Sequence, residues 1–215
     1  MLQSKSFFPI LLALSFLFDG AFGLESCLLP FWSCGIKRTQ VIGYAKLPGE
    51  KAMPIILNNK LRVEKSTVTK QVGPGFYMLN QPVWEEDDDG SWYCLIKANM
   101  DKVKKADKVW IPTHYKKTNA DGSTVDQALW DQEDLDNLYD FISYEAFIPE
   151  ANKALLFSWV HEEGYWHEQM TIPTDVVNND SLGIWATCFP SIHDLKKTSN
   201  KAVNWQKWDI TTAGV

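Results

Sequence analysis

The stretch Phe7–Phe18 (FFPILLALSFLF) constrains this chain more than any other segment. It is apolar for twelve residues apart from Pro9 and Ser15, whereas a bilayer span needs about 20. Lys5 precedes it, and Ala21-Phe22-Gly23 follows with the small-x-small pattern that signal peptidase cuts. Residues 1–23 are therefore expected to be a cleaved secretory signal. Export would put Leu24–Val215 in an oxidising compartment, where Cys27, Cys34, Cys94 and Cys188 pair off. The even count reads as two disulfides with three pairings open. Cys27 to Cys34 closes a short loop, and Cys94 to Cys188 ties two distant strands. A lipid anchor on Cys27 does not suit Leu24-Glu25-Ser26, which puts an acid just before the cysteine. No CxxC occurs, so neither a metal framework nor a redox role is expected.

Composition narrows the partners. The chain is 45% hydrophobic and 22% charged, which is globular. It carries a net charge of −6 and no run of Lys or Arg longer than two. Phosphate backbones and anionic lipid both require a clustered positive field, so nucleic acid and membrane surfaces are not expected as partners. No later segment approaches the length of a membrane span. A monomer secreted to the extracellular space is expected.

Short strands and few helices are legible along the chain. Residues 24–40 read as an N-terminal loop with its own bridge, and residues 41–215 as a single domain. Val41–Tyr44 is a strand, Glu50–Asn58 a brief helix limited by Pro54, and Gly73-Pro74-Gly75 a break before Phe76–Leu79. Glu85–Gly90 is a turn leading into the strand Ser91–Ala98. Asp131–Ser143 carries a helical stripe of Leu135, Leu138, Tyr139 and Ile142, with Asp131 as its cap. Ala154–Val160 and Tyr165–Ile172 are strands around the turn His161–Gly164, and Leu182–Phe189 is a third. Strands with helices in no regular alternation predict an α+β fold.

Several partial motifs resolve into bland readings. Glu85-x-Asp87-x-Asp89-Gly90 copies half of a calcium loop, but its twelfth position is Ile96 where a bidentate acid is required. His161-Glu162-Glu163 would need a histidine at Tyr165 to hold zinc; with His167, His161 flanks a hairpin instead. No GxSxG nucleophile elbow occurs, and Gly73-x-Gly75 lacks the third glycine of a dinucleotide fingerprint. Asn179-Asp180-Ser181 is a glycosylation sequon. The ten Trp are scattered singly and leave a sugar-binding aromatic platform open.

Three stretches in order resemble the ADP-ribosyltransferase-like toxin fold. Val41–Ala45 with Glu50-Lys51-Ala52 is similar to its first strand and helix. Val72–Tyr77 is similar to its second motif, a glycine-rich turn entering an aromatic strand. Gln169–Pro173 is similar to its third, an acid-bearing strand ending in Ile-Pro. The chain is closer still to small secreted fungal proteins with Trp92-Tyr93-Cys94, Val109–Pro112, the Gln-Met-x-Ile-Pro run, a late strand with a cysteine (Leu182–Cys188) and a closing segment Val203–Trp208. The likeness covers roughly residues 41–210. It implies split β-sheets with a few helices, braced by Cys94–Cys188 and, by remainder, Cys27–Cys34. It also implies that Trp92, Trp110, Trp205 and Trp208 are structural.

The resemblance implies motif-equivalent positions at Tyr44, Ala45, Gly75, Tyr77, His167 and Gln169. Such transferases need a basic residue where Ala45 stands and a glutamate where Gln169 stands. A glutamine neither ionises nor serves as a base. The resemblance therefore implies a secreted effector, toxin-like and of virulence type, that has lost its chemistry, uses no cofactor and binds a host or target component. One alternative is an active transferase or NAD glycohydrolase that uses a shifted acid, Glu163 or Glu168, with NAD as substrate. Another is a secreted carbohydrate-binding protein.

Overall fold

The short strand expected at Val41–Tyr44 extends in both directions. In the computed structural model, which describes residues 39–64, 71–86, 88–131 and 134–213, it forms strand β1 (Thr39–Pro48). The expected signal sequence, the cysteines Cys27 and Cys34 and nearly all of the expected N-terminal loop lie outside the described residues. Helix α1 (Gly49–Asn58) follows directly, accommodates Pro54, and ends on Asn59 in the left-handed region at φ 53°. The strands β2 (Gly75–Leu79) and β3 (Ser91–Asn99) come next.

Helix α2 (Met100–Lys105) begins where the Asn99 side chain accepts the N–H groups of Asp101 and Lys102, and ends on Lys102, Lys104 and Lys105. Acceptor caps at the start and cations at the end complement the helix dipole. Then follow β4 (Lys108–Trp110), a separate hairpin of β5 (His114–Thr118) and β6 (Thr124–Ala128), and helix α3 (Asp136–Asp140), which widens into a π-turn at Phe141–Glu145. The chain continues through β7 (Leu155–Glu162), β8 (Tyr165–Pro173), α4 (Thr174–Asn178), β9 (Trp185–Phe189), α5 (Ile192–Thr198) and β10 (Thr211–Thr212). The fold is α+β, mostly strands with a few helices.

The sheet order is β10-β4-β7-β8-β2-β1-β3-β9, with β5–β6 apart. β4 pairs in parallel with β10 and β7, and the other junctions are antiparallel. One junction differs in kind. β1 is zipped to β3 from Thr39↔Asn99 to Pro48↔Ser91, yet meets β2 only at Tyr44↔Leu79. The strands thus form two groups, β10-β4-β7-β8-β2 and β1-β3-β9, joined at a point. Gly43 permits that approach: a Cβ there would lie 2.6 Å from Met78 Sδ and 3.0 Å from the Leu79 carbonyl.

Both faces are covered. The main core joins Ile42, Ala45 and Ala52 to Met78, Phe157, Met170 and Trp205. A second lies under α3 and the π-turn around Leu138, Phe141, Ile142 and Leu156. A third, beneath α5, holds Tyr44, Leu79, Tyr93, Leu95 and Leu195. Each large side chain buried this way contributes about 1.5–3 kcal/mol.

The segment after α5 seals the gap between β1 and β2. Val203 packs against both the main and the third core, which lie on opposite faces. Its N–H bonds the Asn80 carbonyl at 2.8 Å, just past β2. Trp205 Nε1 donates to the Ile42 carbonyl of β1 at 2.9 Å, fully buried. Its ring stands edge-on to Phe157 at 5.4 Å. Trp208 is half-buried beside it, as are Trp92 and Trp110 elsewhere on the main core.

Three expectations are corrected in detail, and the Cys94–Cys188 pairing holds. The helix expected over Asp131–Ser143 starts at Asp136, because Asp131 sits in the left-handed region at φ 57°. Its first free N–H is capped by Asp134 Oδ1 at 2.9 Å instead. The turn expected at His161–Gly164 tightens to Glu163-Gly164, both at positive φ (49° and 79°), the geometry that suits a two-residue hairpin. The strand expected over Leu182–Phe189, β9, begins at Trp185, since Gly183 turns the chain at φ 60°. Cys94 and Cys188 are directly opposite on β3 and β9 and form a disulfide.

Candidate functional site

The three strands of the motif positions are neighbours in the sheet, in the order β8-β2-β1. Pairing sets a row straight across them: Tyr44 opposite Leu79, Leu79 opposite Gln169, and Gln169 opposite Ser158 of β7. Directly opposed residues share a face, and so do residues two apart on a strand. Tyr44, Tyr77, His167, Gln169 and Thr171 therefore lie on one face. Gly75 begins β2 on that face because nothing larger fits. A Cβ there would stand 2.5 Å from the Ile172 carbonyl.

Gln169, Tyr77 and Tyr44 are each held by their neighbours. Gln169, 6% exposed, donates from Nε2 to Gln71 Oε1 at 3.0 Å and to Ser158 Oγ at 3.2 Å. Gln71 in turn donates to the Trp159 carbonyl. Tyr77 Oη donates to the Gly73 carbonyl at 2.6 Å and accepts the Val72 N–H at 3.1 Å, tying down its own glycine turn. Desolvation above all pushes its hydroxyl up to about 12. Tyr44, fully buried, donates to the Lys201 carbonyl at 2.9 Å and shares a 2.6 Å hydrogen bond with Ser199 Oγ. Burial again is the largest cause that raises its pKa. His167 is half-buried opposite Val160, and its Nε2 has no hydrogen-bond partner among the described residues.

Three candidate positions are not brought to this row. Ala45 is 3% exposed and belongs to the main core with Met78 and Met170, on the opposite face. Glu168, opposite Trp159, faces that way too. It accepts from Asn80 Nδ2 at 2.9 Å and Gln206 Nε2 at 3.5 Å. Glu163 stands exposed in the hairpin turn. The row thus carries no carboxylate, lysine or arginine, and the segment carrying Ser199 and Lys201 closes over its Tyr44 end. Neither of two cavities among the described residues, of about 190 and 590 Å3, is lined by Tyr44, Tyr77 or Gln169.

The partial motifs serve packing and capping. Ile96 is fully buried in β3. Asp89 accepts the Ser91 N–H and pairs with Lys46 at 3.1 Å. Glu86 accepts from Ser191 Oγ and the Ile192 N–H at the start of α5. His161 stacks edge-on against Trp166 at 5.4 Å. No group of three His, Cys, Asp or Glu among the described residues could hold a metal. Among them, too, no helix is long and apolar enough to cross a membrane. Asn179 is exposed at the end of α4. Trp159, Trp166 and Trp185 are exposed, but Lys97 lies over Trp185 at 5.1 Å and Trp159 contacts Trp110.

Gln71 and Ser158, which fix Gln169, carried no sequence signal. Their role follows only from the β7–β8 register and from the loop before β2.

The chain belongs to DUF5910, a family of unknown function, whose family model matches residues 70–213. The match includes β2, β8 and the sealing segment, and leaves out β1 with Tyr44 and Ala45. No curated protein matches the chain.

Proposed function

We propose that this is a secreted, non-catalytic protein on an ADP-ribosyltransferase-like scaffold, an effector that acts by binding a host or target component. Three observations support the scaffold. The motif strands are adjacent, the sheet is nearly split between β1 and β2, and a disulfide joins the strands of Trp92-Tyr93-Cys94 and Cys188.

The absence of chemistry rests chiefly on Gln169. At the position where the resemblance demands a glutamate, a neutral amide spends its donor on Gln71 and Ser158. An oxocarbenium-like transition state gains no charge stabilisation from such a group. Ala45 supplies no cation, and the shifted acids Glu163 and Glu168 stand away from the row. Both facts favour binding over turnover.

Calorimetric titration with NAD, paired with a chromatographic assay for free nicotinamide, tests the reading. Neither heat of specific binding nor nicotinamide is expected. Micromolar binding accompanied by nicotinamide release overturns it. If release is abolished by Glu168→Gln or Glu163→Gln, the shifted-acid enzyme takes its place.

A further inference from the structure

The cavity of about 590 Å3 lies within the range of roughly 300–1,000 Å3 usual for small-molecule sites. Its apolar wall is built by Met100 and Val103 of α2 and by Trp208 of the sealing segment. Its charges come from Lys104 on α2, Lys108 on β4 and Lys207 in the short 3-10 turn Trp205–Lys207. Three lysines, two from the α2–β4 corner and one from the sealing segment, therefore line one cavity in a protein of net charge −6.

Lys108 is the least ordinary of them, at 6% exposed. Its Nζ donates to the Ala106 carbonyl at 2.6 Å and the Lys104 carbonyl at 3.3 Å. An ammonium has three donors, and a buried cation is costly without a compensating charge. Asp209, exposed on the cavity rim, is the acid among the lining residues. Among the described residues neither Lys104 nor Lys207 forms an ion pair, and both are exposed. Positive charge in excess over one apolar wall is complementary to a ligand that is negative at one end and apolar at the other.

We propose that this cavity binds a small organic anion, its acidic head held by Lys104 and Lys207 above Lys108 and its apolar body laid against Trp208, Met100 and Val103. The head is a carboxylate, sulfonate or phosphate. The site is separate from the row through Gln169 and does not depend on whether that row is catalytic.

The test is a fluorescence titration of the purified chain with anilinonaphthalene sulfonate, a sulfonate on an aromatic body. Saturable binding at one site per chain is expected. Decanoate and phenyl phosphate as competitors distinguish a fatty-acid-like from a phosphate-bearing ligand, and displacement by either supports the site. Uncharged decanol should displace the probe at least tenfold less effectively than decanoate. The exposed double variant Lys104→Glu/Lys207→Glu should weaken binding at least tenfold. Lys51→Glu/Lys116→Glu makes the same change in net charge away from the cavity and should change affinity less than twofold. Unchanged circular dichroism confirms that both variants fold. Unsaturable binding, equal weakening in the two double variants, or decanol competing as well as decanoate overturns the proposal. Nicotinamide release is no readout here, so failure of this site and failure of the non-catalytic reading register separately.

Discussion

Breaking the bond between Cys94 and Cys188 should cost this fold a large part of its stability. The two residues are separated by 94 positions, and in the chain-entropy relation a closed loop of that size removes about 16 cal/mol/K from the unfolded ensemble, or about 4.7 kcal/mol at room temperature. Typical domains are stable by about 5–15 kcal/mol in all. The bridge sits on the last junction of the sheet, where β9 is held otherwise by pairing from Tyr93↔Phe189 to Lys97↔Trp185. Both sulfurs are buried, at 0% and 7% residue exposure, so the replacement must fill the space. Cys94→Ala/Cys188→Val does so approximately, with a packing loss of about 1 kcal/mol. Urea unfolding of the oxidised protein and of this variant, followed by Trp fluorescence, should differ by about 4–6 kcal/mol in extrapolated stability. Reduction of the unmodified protein should shift the midpoint in the same direction. A difference below about 1 kcal/mol refutes the reasoning, because it means the unfolded chain gains little freedom when the loop opens.

Two other perturbations test how the sheet centre is held. Trp205→Phe keeps an aromatic ring against Phe157 but removes the donor to the buried Ile42 carbonyl. Such an orphaned acceptor costs about 1–3 kcal/mol, and a urea titration showing a loss under 0.5 kcal/mol on that scale would mean that Trp205 does not seal the gap. Tyr77 ionises at about 12 when folded against 10.0 in its reference state. The folded state therefore holds this proton more tightly. Its contribution is complete below about pH 10 and is lost as pH rises from there to about 12. Two pKa units correspond to about 2.7 kcal/mol. Stability measured across this range should fall less steeply in Tyr77→Phe than in the unmodified protein, and parallel curves would contradict the assignment.

The strands that were legible are those whose side chains sort by face or by burial. Phe76–Leu79 and Gln169–Pro173 read correctly because each is flanked by turn residues and rich in large apolar groups. Helix α2 went unread because six residues are too few for a helical period, although Asn99, Asp101 and the lysines at its end are cap and dipole signals. The β5–β6 hairpin is mostly polar and exposed, and Asp121-Gly122 at its turn was its one marker. At the candidate site, the identities of Ala45 and Gln169 were visible at once. What they face was not. Gln169 meets Ser158 through strand register, and Ala45 turns into the core through the pleat of β1. Both depend on register and pleat, which a shift of one residue reverses and which composition does not encode. Nor does it encode the lysine cavity, whose walls come from α2, β4 and the chain after α5.

The contact between Trp205 and Ile42 also orders events in time. β1 emerges early in synthesis, yet the gap beside it is filled by residues near the opposite end of the chain. The pairings of β2 with β8 and of β3 with β9 likewise wait for distant segments, so loops must be closed before contacts reward them. The native sheet centre is therefore incomplete until Val203 and Trp205 have been made, and a product truncated before Val203 would display an open seam with the Ile42 and Asn80 carbonyls unpaired. Chaperones and proteases that read exposed strand edges would distinguish that product from the finished molecule.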